Sequence, residues 1–162
     1  MLVTREDLKY AINYQKKRLG VIKLEFKYSL DKNMEYCLTY GAVAHELATE
    51  IKECEIGIAS LKTALSMYEC TIVVEVPNAG NRSLAYCLRA KKVAKKMEKM
   101  WWEICTDKII HQKSLSVDKR SAMKHMMKAH EQATIFDKFI KEASKRKLEI
   151  NIDEKLFPGE TP

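Results

Sequence analysis

The stretch Tyr40–Tyr68, YGAVAHELATEIKECEIGIASLKTALSMY, decides the architecture. Tyr40, Ala44, Leu47, Ile51, Cys54, Ile58, Leu61, Leu65 and Tyr68 follow one another at alternating steps of four and three. That alternation is the a/d seam of a coiled coil, because such side chains return to one side of an α-helix. Glu46, Glu50, Lys52, Glu53, Glu55 and Lys62 fall between them and suit a solvated flank. No proline interrupts the run, and Gly57 lies off the seam. The pattern predicts one helix over residues 33–70, which at about 1.5 Å per residue would be about 57 Å long. A globule of this chain length has a radius of gyration of only about 15 Å. The expected fold is therefore mainly α and elongated. Antiparallel helical hairpins would form a coiled-coil-like four-helix arrangement that pairs with a copy of itself.

The flanking sequence supplies the other helices. Thr4-Arg5-Glu6-Asp7 reads as an N-cap with acids in the first turn. A helix over 5–30 follows, with Leu8, Ile12, Leu19, Ile22, Phe26 and Leu30 on one face and Lys16, Lys17, Arg18, Lys23 and Lys27 on the others. Asp31-Lys32-Asn33 is the expected turn. A third helix is predicted over 83–111, with Leu84, Cys87, Ala94, Met97, Trp101 and Ile104 inward. Ser114-Leu115-Ser116 reads as a loop, and Ser116 or Asp118 as the cap of a fourth helix over 118–147. There Ala122, Met126, Ala129, Ala133, Phe136, Ile140 and Ala143 form a second unbroken heptad seam. Its alanines let helix axes approach to the short end of the usual range of about 8–10 Å, which pairs this helix with the third.

Two short segments read as strands. Thr71–Val76 is β-branched and ends at Pro77; Asn78–Asn81 is a turn; residues 148–152 alternate apolar and polar. If the last two helices are antiparallel, the two strands come together, and the expectation is that they pair as a ribbon. A two-stranded ribbon alone is marginal, so joining the equivalent ribbon of a second subunit is expected. The chain would form one domain over 1–156 with a flexible tail over 157–162.

Composition narrows the setting. Of 162 residues, 46% are hydrophobic and 31% charged, enough for a core wrapped in solvated helices. The net charge of +7 favours anionic partners and also solubility. Lysine dominates the basic residues, a bias that fits the AT-rich genome of a low-GC bacterium or a phage. The five cysteines are odd in number and lack C-x-x-C spacing, which suits reduced thiols in a cytoplasm. No apolar run reaches the roughly 20 residues a bilayer requires.

The order of parts resembles the septicolysin-like family of bacterial and phage helical-hairpin proteins. The likeness rests on the long heptad helix, the Thr71–Val76 link, Gly80 with Ser83-Leu84-Ala85, the Val117-Asp118 start of the last helix, and Phe136-Asp137 with Ile140. It departs at Cys70-Thr71 and Lys145-Arg146, where that family tends to carry asparagines and an Asn-Trp pair. The resemblance implies a fold and no activity.

The sharpest functional feature is a basic stripe. Arg89, Lys92, Lys96 and Lys99 follow at steps of three, four and three, widened by Arg82, Lys91 and Lys95. Like charges so spaced repel by a few tenths of a kcal/mol per pair, so the cluster invites an anion: nucleic acid, a phosphorylated nucleotide or an acidic protein. Lysines that merely solvate an exposed helix are the structural alternative. Lys145 and Arg146 end the fourth helix, where cations favour the helix dipole, and the hairpin would bring them near Arg82 and Arg89. Tyr86 could stack on a base or pack on the ribbon. Of the adjacent Trp101 and Trp102, the first fits the seam and the second a subunit interface. His45, His111, His125 and His130 lack metal-ligand spacing, and no nucleophile set, glycine-rich phosphate loop or paired-carboxylate motif occurs. The sequence thus points to a non-enzymatic coiled-coil oligomerisation or interaction protein without cofactor. The alternative is a binding module for nucleic acid or a nucleotide signal at the basic patch.

Overall fold

The computed structural model describes residues 1–31, 37–106 and 118–158. In chain order the elements are β1 (Leu2–Val3), α1 (Arg5–Asp31), α2 (Cys37–Thr71), β2 (Val73–Val76), β3 (Gly80–Ser83), α3 (Leu84–Cys105), α4 (Lys119–Ala143), β4 (Leu148–Glu149) and a 3-10 turn, Glu154–Leu156. The fold is mainly α, with four helices and short antiparallel ribbons. It divides into two compact units, residues 1–68 with 147–162 and residues 69–146.

In the first unit, α2 is one unbroken helix of 35 residues, about 52 Å long. Its predicted seam faces inward: Cys54, Ile58, Leu61 and Tyr68 are buried, and Ala44, Leu47, Ile51 and Leu65 are half-buried. The expected positions 33–36 and the side chain of Tyr40 lie outside the described residues. Helix α1 starts as the sequence dictates. Thr4 and Asp7 exchange hydrogen bonds, Asp7 N donating to Thr4 Oγ1 at 3.3 Å and Thr4 N to Asp7 Oδ2 at 2.8 Å, which satisfies donors the first turn leaves unpaired. Leu8, Ala11, Ile12, Gln15 and Ile22 are buried, and Leu30, expected inward, is exposed. Arg18 and Lys23 reach Glu50 and Glu55 of α2 at 3.7 and 2.8 Å.

The ribbon expected between 71–76 and 148–152 does not form. β4 pairs instead with β1, Leu2 opposite Glu149 and Val3 opposite Leu148. Ile150 N donates to Met1 O at 2.9 Å, which extends the pairing beyond the two strands. Two apolar residues before a helix cap carry no periodicity, so Leu2-Val3 gives no strand signal. The 3-10 turn closes the unit: Gln15 Nε2 donates to Leu156 O at 2.8 Å. Leu156, Phe157 and Pro158 are half-buried. Of the expected tail over 157–162, residues 159–162 lie outside the described residues.

In the second unit, β2 pairs with β3, from Val73 opposite Ser83 to Val76 opposite Gly80. The loop Pro77-Asn78-Ala79 reverses the chain, with Asn78 at φ 64° and Gly80 at φ 70°. Asparagine and glycine tolerate that left-handed backbone. Gly80 and Asn81, expected in the turn, are therefore strand residues. Val74 and Val76 turn inward while Val73 and Glu75 turn out. Ser83 caps α3 by accepting from Tyr86 N at 3.3 Å. Helix α3 ends at Cys105 with Thr106 as cap, and the predicted extension over 107–111 lies outside the described residues; Thr106 N and Oγ1 both bond Trp102 O at 3.1 Å. Residues 107–117, including the expected loop at 114–116, lie outside the described residues. Asp118 occupies the N-cap position of α4.

Helices α3 and α4 pack antiparallel. Lys91 pairs with Asp137, and the Glu98 carboxylate accepts from His130 Nδ1 at 2.8 Å. Trp101 stacks on His125 at 4.8 Å between centroids. The alanine seam holds: Ala122, Ala129, Ala133, Ile140 and Ala143 are buried. Met97 is a correction, since it lies off the α4-facing side and is exposed. The residues turned to α4 are Leu84, Cys87, Lys91, Ala94, Glu98 and Trp101, at steps of three, four, three, four and three.

Candidate functional site

The second unit carries every predicted site residue. Arg89, Lys92, Lys96 and Lys99 are all exposed on α3, away from the seam that meets α4. No ion pair engages them among the described residues. Lys91, one turn toward α4, is instead neutralised by Asp137, which also holds Lys141 at 3.3 Å. These two lysines hold the Asp137 carboxyl below its ordinary range, through hydrogen bonds first and charge second.

The ribbon end holds the remaining predicted cations. Arg82 of β3 lies over the Tyr86 ring, 5.5 Å from its centroid, a cation–π contact. Tyr86 keeps its other surface open, so the ring both packs on the ribbon and reaches solvent. Arg146 donates from Nη1 to Val73 O at 2.6 Å and so fastens the end of α4 to β2. Lys145 beside it is exposed. The structure therefore brings Arg82, Tyr86 and Arg146 to one ribbon and leaves the α3 stripe beside them. Arg146 has a structural partner that the sequence did not reveal.

A second stripe on α3 escaped the sequence reading. Tyr86, Val93, Met97 and Met100 are spaced seven, four and three and are all exposed, Val93 by 61%. With Gln132 and Phe136 of α4 the first three line a groove of about 570 Å³. Its lining includes Arg89 and no acid. On the other side of α3, Trp102 is 56% exposed, as expected of a residue beyond the seam. It lines a smaller groove of about 330 Å³ with Lys95, Lys99 and Met126.

The first unit carries an unpredicted surface of the same kind. Tyr10, Tyr14, Val21, Leu24 and Tyr28 are exposed on α1. Their steps of four, seven, three and four, with Lys17 at the missing position, make a complete heptad stripe. It runs along the side of α1 opposite Ile12, Leu19 and Phe26. The spacing is as regular as that of the inward face, but periodicity alone does not distinguish an outward apolar stripe from an inward one. The unit also carries a cleft of about 540 Å³, open to solvent, between α1, α2 and the 3-10 turn, lined by Gln15, Arg18, Glu53, Cys54 and Asp153 among others.

Among the described residues no cluster of three histidine, cysteine, aspartate or glutamate side chains could hold a metal ion. No helix there is long and apolar enough to cross a membrane. Cys54 and Cys87 are buried thiols, and burial pushes the Cys87 thiol up from its ordinary range. The chain matches no family model, no curated protein and no solved structure.

Proposed function

We propose that this chain is a non-enzymatic helical interaction protein that self-associates through the outer stripe of α1. The observation that carries the reading is the exposure of Tyr10, Tyr14, Val21, Leu24 and Tyr28 on a single heptad face. Contiguous apolar faces of this kind are rare on monomers and favour a partner. A second copy fits because the stripe is symmetric about its middle. An antiparallel two-fold pairing sets Tyr10 opposite Tyr28 and Tyr14 opposite Leu24, aromatic and aliphatic groups meeting at coiled-coil spacing. The stripe is about 27 Å long, so one helix pair falls among small interfaces, below about 1,200 Å², and the association is expected to be micromolar.

Charge makes the reading specific. Lys17 lies within the stripe, and the antiparallel pairing sets it opposite Val21, so the two copies' Lys17 side chains, of like charge, stand only about 6 Å apart along the axis. Salt screens such repulsion, and self-association is expected to strengthen as salt rises. Sedimentation velocity up to about 100 µM tests this. The unaltered chain should sediment as a dimer or larger, and Val21→Asp with Leu24→Asp should sediment as a monomer with unchanged circular dichroism. A monomer for the unaltered chain across that range would overturn the proposal.

A further inference from the structure

We infer that the groove between α3 and α4 docks an acidic amphipathic helix from a partner protein. Three observations converge on that occupant. Tyr86, Val93, Met97 and Met100 are exposed along about 21 Å of α3, the length of four turns of a docked helix. Phe136 and Gln132 form the opposite bank, so the depression runs along the helix pair and accepts a rod. The only charged residue that lines the groove among the described residues is basic. Arg89 lines the groove and Lys96 follows it one heptad later on α3, while Lys128 precedes Gln132 by one turn on α4.

An apolar floor between basic rims matches a helix with apolar residues at i, i+4, i+7 and i+11 and carboxylates on both shoulders. The floor supplies adhesion, and the rims select the charge sign and the orientation of the incoming helix. Nucleic acid fits less well, because a phosphate backbone pairs with the outer lysines and leaves Val93 and Met97 in water. The inference goes beyond self-association through α1, involves other residues, and stands or falls separately from it.

The test uses the full chain and a fluorescein-labelled designed peptide of about 18 residues, with leucines at the stated spacing and glutamates flanking them. A scrambled peptide of the same composition and a single-stranded oligodeoxynucleotide serve as competitors. Anisotropy should report micromolar binding of the patterned peptide, weakened by salt. Val93→Asp with Met97→Asp should abolish it, and Arg89→Glu with Lys96→Glu should raise Kd about tenfold and flatten the salt dependence. Circular dichroism and sedimentation of each variant report folding and self-association separately. Absence of binding by the patterned peptide, or equal binding by the scrambled peptide or the oligonucleotide, would overturn the inference.

Discussion

Leu156 fills the place where a side chain at Gly57 would go: a β-carbon on the glycine would stand 2.6 Å from Leu156 Cδ2. A β-carbon at position 57 would displace the end of the Leu156 side chain from that space. An alanine inside a helix ordinarily gains about 1 kcal/mol over glycine. At position 57 the gain is opposed by the displaced leucine. Gly57→Ala is therefore expected to be neutral or destabilising in the unaltered chain and stabilising in a Leu156→Ala background. A double-mutant cycle by urea denaturation measures the coupling.

Gly20 gives the opposite case. Nothing lies within 4 Å of the position a β-carbon would take. Gly20→Ala is expected to stabilise the first unit by about 0.5–1 kcal/mol. A raised denaturation midpoint with unchanged m-value would confirm the mechanism; a lowered one would contradict it.

The alanine seam of α4 predicts intolerance to size. Ala129 and Ala133 are buried against α3. Ala129→Leu adds volume where two helix axes are close, and overpacking of this kind costs about 1–3 kcal/mol. The exposed Met127→Leu in the same helix should be nearly silent. Equal effects of the two by thermal denaturation would sink the packing argument.

Asp137 links stability to pH. Lys91 and Lys141 hold its folded-state carboxyl below the ordinary range. A depressed carboxyl stabilises the fold above its unfolded-state pKa, and that contribution is lost as pH falls through the folded-state value. Asp137→Asn should therefore lower the Tm at pH 7 and lower it less in strong acid. A pH-independent difference would mean that the ion pairs contribute nothing.

The thiols should separate by burial. Cys70 is exposed, while Cys54 and Cys87 are buried. Thiolate is the reactive form, and the raised Cys87 pKa makes it scarce at pH 8. Cys70 should label with an aromatic disulfide reagent first, and Cys87 only on unfolding. Mass mapping of partly labelled protein would show the order, and early labelling at Cys87 would contradict it.

The two heptad seams were legible because a helix repeats its inward face many times, and a repeated pattern survives one exception. Cys54 to Tyr68 and Ala122 to Ala143 needed only counting. Strand pairing was not legible in the same way. β4 has two residues and β1 has two, so neither offers a period, and β1 was concealed beside the stronger Thr4–Asp7 cap. The pairing of β2 with β3 is signalled by Asn78 and Gly80, but residue types alone do not show that the turn takes three residues and that the strand resumes at Gly80. Met97 shows another limit. Helix α3 has two adjacent apolar stripes, and spacing alone does not say which one meets α4. Helical spacing sets Arg89, Lys92, Lys96 and Lys99 along one exposed side of α3, but the roles of Arg146 at Val73 and Lys91 at Asp137 depend on neighbours distant in sequence.

The pairing of residues 2–3 with residues 148–149 has a consequence for how the molecule is made. The second unit, residues 69–146, is inserted within the first, and everything it needs is contiguous. The first unit lacks its closing strand until translation has passed the insert. At roughly 5–20 residues per second that delay is on the order of ten seconds. During this interval α1 and α2 have left the ribosome with Val3 unpaired and no 3-10 turn against Gly57. Residues 1–68 thus belong to the last unit to be completed, and a chain truncated after residue 146 should protect the inserted unit from protease while leaving residues 1–68 open to cleavage.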